Sequence, residues 1–207
     1  TSAMIDLVEG KKKTLGYVTG HKEPALSTPT SPITLLKQFI ENENIKFQEL
    51  NLLDQTAIPA DVNAVMIAEP QYDISDLEMQ VLRSFWDKQG RILILVDPAA
   101  NTPRLRAFLD ELGVKVNDDR LMVFVRTGIQ ELALTRDVQA HFLGDSPITK
   151  RLADVRGIFV GGTASLTLDP NRGRAINIQL QPLIHAEKGY FAETDYNTDN
   201  QVKLQED

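Results

Sequence analysis

The chain has 207 residues, of which 42% are hydrophobic, enough for one large domain with a sizeable buried core. Its 29 acidic and 22 basic residues leave a net charge of −7, which offers no electrostatic footprint for nucleic acid or anionic lipid. There is no cysteine, which excludes disulfides, thiolate metal sites and a cysteine nucleophile together.

The opening TSAMIDLVEG has neither the basic start nor the apolar middle of a signal peptide. Residues 1–13, with the lysine run at 11–13, read as a solvated lead-in. The longest apolar run, ILILV at 92–96, falls far short of the roughly 20 residues that cross a bilayer. The segment therefore reads as soluble, with any anchor lying outside it.

LGYVT at 15–19 reads as a first strand. SPITLLKQFIENENI follows as an amphipathic helix, with Ser31 at the N-cap, Pro32 at the first helical position and Ile33, Leu36, Phe39 and Ile40 on one face. IKFQELNL at 45–52 is expected to be a second strand. NAVMIAEP at 63–70 is expected to be a third, apolar throughout as a strand buried on both faces would be.

SDLEMQVLRSFWDKQG carries full helix punctuation: Ser75 and Glu78 form a capping box, Leu77, Val81, Leu82 and Phe85 a stripe, and Gly90 the stop. RILILVDP reads as a fully buried strand. TPRLRAFLDELG reads as a helix with Leu105, Phe108, Leu109 and Leu112 at helical spacing and Gly113 as terminator.

After Gly113 the rhythm changes. VKVND, LMVFVR, IQELALT, GIFVGG, ASLTLD and AINIQLQPLIHA are β-like, with PITKRL at 147–152 the one short helical candidate. No Pro/Gly/Ser-rich linker separates the halves, so residues 14–193 read as a single α/β domain. Within it, 14–113 form a βα core with a largely parallel sheet, and 114–193 add strands that extend that sheet or fold over its edge. The tail 194–207 is polar and acidic.

Open α/β sheets bind ligands beyond the carboxyl ends of their strands, so two loops matter: Gly20–Glu23 after the first strand, and Asp97-Pro98 after RILILV. His21 could act as a base oriented by Glu23, with Asp97 as a third polar group, in a hydrolase or a sugar- or nucleotide-modifying enzyme. No nucleophile stands nearby, and a glycine-led polar turn is the reading the residues favour. Gly-x-Gly-x-x-Gly, Walker and Gly-x-Ser-x-Gly signatures are missing. Gly161-Gly162-Thr163 could cradle an anion or simply turn the chain. His141 and His185 show no ligand spacing, so neither a metal nor a cofactor is expected.

The stretches YVTGHKEPAL, ADVNAVMIAEPQYDISDLEMQVLRSFWDKQGRILILVDP, SPITKRL and QPLIHAEKGYFAET occur in an order that resembles the auxiliary component of ABC-type uncharacterised transport systems. That family includes the GldG-like gliding-motility auxiliary proteins. The resemblance implies a three-layer Rossmann-like fold, glutamine-amidotransferase-like or flavodoxin-like, with a mostly parallel sheet and additional C-terminal β-strands. It further implies an extracytoplasmic or periplasmic domain held to the cell membrane by helices outside this segment, working beside an ABC permease and its ATPase.

Amidotransferase activity does not follow, because it needs a cysteine nucleophile. Gly20, His21 and Glu23 match the family's Gly-His-x-Glu pattern, with Lys22 where a small residue is expected. Gly20, His21, Glu23 and Asp97 are accordingly expected to shape a binding loop in a non-catalytic accessory domain. A homodimer paired through an edge strand among residues 121–137 is a further possibility.

Overall fold

The computed structural model describes residues 12–126, 132–153 and 155–195. Most of the expected lead-in, most of the tail and part of IQELALT lie outside the described residues. The chain divides into two compact units, residues 1–107 and 108–207.

The first unit is built on a four-stranded parallel sheet in the order β2-β1-β3-β4. Its strands are β1 (Lys13–Thr19), β2 (Ile45–Asn51), β3 (Ala64–Ala68) and β4 (Arg91–Leu95). Register pairs Leu15 with Phe47 on one side of β1 and with Ala64 on the other. β1 and β3 are interior. In β3, Val65, Met66 and Ile67 have no exposed surface, as its unbroken apolar run predicts.

The same inference fails for RILILV. Among the described residues β4 pairs only with β3, and it leaves Leu93 49% and Leu95 41% exposed. An apolar run reports β propensity but does not distinguish an interior strand from an edge.

Helix α1 (Pro32–Asn42) starts at Ser31 with Pro32 in its first turn, and buries Ile33 in a cluster with Tyr17, Phe47, Met66 and Ala68. The Tyr17 and Phe47 rings stand 5.4 Å apart. Leu36 and Ile40 pack against that cluster, whereas Phe39, expected on the same face, is 69% exposed.

Helix α2 (Asp76–Asp87) has the expected capping box in full. Its buried residues are Glu78, Met79, Val81 and Leu82, and Leu77 is 71% exposed. At roughly 100° per residue, Leu77 stands about a quarter turn or more from the midline of that face. Helix α3 (Pro103–Glu111) buries Leu105 and Phe108 and leads the chain from the first unit into the second.

Among the described residues of the second unit the paired strands are all antiparallel, and they form three small sheets that do not add to the parallel one. β5 (Val114–Val116) pairs with β10 (Leu166–Leu168). β6 (Arg120–Arg126) lies between β12 (Phe191–Glu193) and β7 (Leu132–Thr135). β8 (Val138–Phe142) lies between β11 (Ile184–Ala186) and β9 (Arg156–Phe159).

PITKRL contributes a single 3-10 turn, Lys150–Leu152. The β-like reading of AINIQLQPLIHA holds only for its last three residues. A short helix α4 (Pro170–Ala175) takes its start because Asp169 accepts from the amides of Asn171 and Arg172, and Pro170 sits at the first helical position. Among the described residues no helix is long and apolar enough to cross a membrane.

Candidate site at the carboxyl ends of β1 and β3

The sheet order changes direction between β1 and β3: the chain goes from β1 to β2 on one side, then returns to β3 and β4 on the other. Loops leaving two such strands splay apart, which is why ligands of parallel sheets bind there. Here the two loops are tied together. The His21 carbonyl accepts the amides of Gln71 at 2.8 Å and Tyr72 at 3.1 Å. Gly20 turns the chain out of β1 at φ +125°, and Lys22 follows in the left-handed region at φ +62°, with its ammonium 4.9 Å from the Tyr72 ring centroid.

The imidazole of His21 points inward and is 5% exposed. Nδ1 lies 3.0 Å from Glu23 Oε1, and Nε2 lies 3.1 Å from Glu78 Oε2. The other oxygen of Glu23 accepts the His21 amide at 2.8 Å, closing a local ring. Glu78 Oε2 also takes the amide and hydroxyl of Ser75, at 3.0 and 2.7 Å, while Oε1 is buried without a hydrogen-bond partner. Both carboxylate side chains are almost fully covered.

A neutral imidazole donates through one nitrogen only, so carboxylates on both nitrogens define an imidazolium. Consistently, the hydrogen bond from Glu23 raises the His21 pKa above its ordinary value against the opposing effect of burial, and Glu78 adds to the rise. For Glu78, burial pushes the pKa up, but the two bonds from Ser75 and the His21 cation outweigh it and the net shift is downward. Burial, followed by the charge of Glu23, likewise raises the pKa of Tyr17, whose hydroxyl donates to the Pro24 carbonyl at 2.9 Å. Chemically, the assembly is a charge-assisted clasp between the β1 loop and the start of α2. With both nitrogens bearing protons held by carboxylates, the ring presents no lone pair to a substrate.

Of the four residues singled out in the sequence, Gly20, His21 and Glu23 fall into this assembly. Asp97 does not touch the imidazole and reaches the assembly only through Gln71. Its carboxylate accepts Gln71 Nε2 at 2.9 Å and the Ala99 amide at 2.8 Å, bracing the loop after β4. Glu78, Gln71 and Tyr72 belong to the site and carried no such signal. Glu78 reads locally as a capping-box residue, and 57 positions separate it from His21.

Two other candidates resolve in the second unit. The amide of Gly161, at φ +96°, donates to Asp137 Oδ1 at 3.1 Å, so that amide of the glycine pair already serves an internal carboxylate. His141 and His185 lie directly opposite each other on β8 and β11, ring centroids 5.8 Å apart, with Glu187 3.7 Å from His141 Nδ1 and salt-bridged to Arg156. Among the described residues no group of three or more His, Asp or Glu is placed to hold a metal ion.

A family model described as "ABC-type uncharacterized transport system" matches residues 12–185. Among solved structures, the mmIFT52 N-terminal domain is similar, with a TM-score of 0.52 and 20% identity over 76% of this chain and 69% of that one. At that identity the likeness concerns the fold alone. A search of curated proteins finds no match.

Proposed function

Because the chain belongs to the auxiliary family of ABC-type uncharacterized transport systems, we propose that it is a non-catalytic binding and interaction domain of such a system, GldG-like in type. In this reading it is the extracytoplasmic part of a membrane-anchored protein whose partners are the ABC permease and ATPase. The parallel sheet of the first unit is then a Rossmann-like, amidotransferase-like scaffold put to a non-enzymatic use.

The observation that carries the reading is the burial of the His21 ring at the β1/β3 switch point, with its two nitrogens held 3.0 Å from Glu23 and 3.1 Å from Glu78. Where a parallel-sheet enzyme would hold its ligand, this chain fills the space and stitches the loops shut. What remains accessible is the rim: Lys22 over Tyr72, and the Asp97–Gln71 brace. We assign partner contact to this rim. Gly20, His21, Glu23 and Asp97 hold its shape.

Co-purification of the full-length gene product with the permease and ATPase of its transport system tests the proposal. The intact protein should fractionate with membranes and retain both partners, and the double variant Lys22→Glu, Tyr72→Ala should lose them while keeping its thermal midpoint. Hydrolysis of any ester, glycoside or phosphoester by the wild type, abolished in His21→Gln, would overturn it.

A further inference from the structure

In the three-stranded sheet β11-β8-β9, β9 is paired on one side only among the described residues. The hydrogen-bond alternation fixes what its other side offers. Phe142 donates to Val155, and in the register of β8 and β9 that makes 142/155, 140/157 and 138/159 the hydrogen-bonded pairs. The remaining positions of β9, Arg156 and Ile158, therefore aim their N–H and C=O groups away from β8.

Edge strands of soluble proteins are normally blunted by inward charge, proline or a covering loop. β9 has none of these at its centre. Ile158 is 64% exposed and Val160 82% exposed, and Val155, just before the strand, is 45% exposed. The only charge on the strand is Arg156 at its start.

We propose that β9 is the edge through which two copies of this chain pair, antiparallel about a two-fold axis at Ile158. A residue on such an axis faces its own copy, so Ile158 meets Ile158, and Arg156 of each copy stands opposite Val160 of the other. This register respects the pleat, because 156, 158 and 160 share a face. It also matches charge: the two Arg156 residues lie at opposite ends of the pairing, and each approaches the second copy's Asp137, whose carboxylate is fixed on the Gly161 amide beside Val160. One such pairing uses the β9 edge of both copies and closes, leaving β11 at each outer edge of a continuous six-stranded sheet β11-β8-β9-β9-β8-β11; an unrelated extended peptide would have to bring its own cation to Asp137, whereas a second copy brings Arg156, which within its own chain also contacts Glu187.

The absence of native cysteine makes the test direct. An Ile158→Cys variant places one thiol on each side of the axis, at a cross-strand spacing of about 5.5 Å that a disulfide spans. It should cross-link into a dimer under mild oxidant far faster than a Ser27→Cys control in the first unit. In sedimentation velocity the wild type should self-associate, and Ile158→Glu should weaken that association by at least about tenfold. At a concentration low enough for both proteins to be monomeric, circular dichroism should show Ile158→Glu with an unchanged thermal midpoint, as expected for so exposed a side chain. A wild type that is monomeric up to about 0.1 mM, a dimer indifferent to Ile158→Glu, or cross-linking no faster than the Ser27→Cys control would each overturn the assignment.

Discussion

His21 is held by opposing demands: burial disfavours its charge, and two carboxylates require it. Removing the ring in His21→Ala leaves Glu23 and Glu78 buried without their cation, and a loss of about 3–5 kcal/mol is expected in urea unfolding, the range for breaking one side of a buried ion pair. The pH dependence follows from the two shifts. Since the folded state raises the His21 pKa, its contribution is complete below the ordinary imidazole value of 6.5 and disappears as pH climbs through the raised one. Since it lowers that of Glu78, the carboxylate contributes above 4.5 and is lost as pH falls through the depressed value. Stability should therefore be greatest between these values and decline on the alkaline side, and His21→Gln should flatten that alkaline limb; a wild type whose stability does not fall above pH 6.5 would contradict the clasp. Gly20, His21 and Glu23 were legible because strand-end logic directs attention to polar residues after β1. The same logic singled out Asp97, which is linked to the β1 loop through Gln71 without reaching the imidazole, and nothing in the local sequence records that distance.

At the scale of elements, the four helices among the described residues end alike: each is followed by a residue in the left-handed region, Asn44 at φ +62°, Gln89 at +63°, Gly113 at +88° and Asn177 at +58°. Gly113 was legible as a stop because glycine adopts this conformation without steric cost. After α2 the expectation missed by one residue. Gln89 takes the left-handed position and donates to Trp86, while Gly90 donates to Phe85, the paired bonds of a Schellman motif. Gly90 is needed for room, since a Cβ there would stand 2.4–2.5 Å from the Phe85 ring and carbonyl. Gln89→Gly should accordingly stabilise the protein by about 0.5–1 kcal/mol, and Gly90→Ala should destabilise it by about 2 kcal/mol or more, both read from denaturation midpoints. The strands show a different limit: VMI and ILILV look equivalent as apolar runs, but only the pairing order makes β3 interior and β4 an edge.

Across the whole molecule, the alternation of strands and helices up to Gly113 made the parallel sheet readable, because each crossover must return the chain in the same direction. The second unit was less readable. Its strands are mostly three to five residues long, and short antiparallel pieces leave too few alternations to fix partners from sequence. The proposed closure of the switch-point crevice carries its own prediction. Flavin mononucleotide or NAD at about 1 mM should leave the melting temperature unchanged, whereas a ligand with a Kd of about 0.1 mM would add about 1.4 kcal/mol of stability. A clear upward shift in a thermal melt would show that the loops open.

One oxygen of Glu78 serves two purposes: it completes the first turn of α2 through Ser75 and anchors an imidazole from the far side of the chain. A motif usually regarded as portable is thus wired to a distant residue. Grafted onto another scaffold, the stretch from Ser75 to Asp87 would arrive with an acid awaiting a counterion the host lacks, and a designer borrowing it would do better to write glutamine at that position.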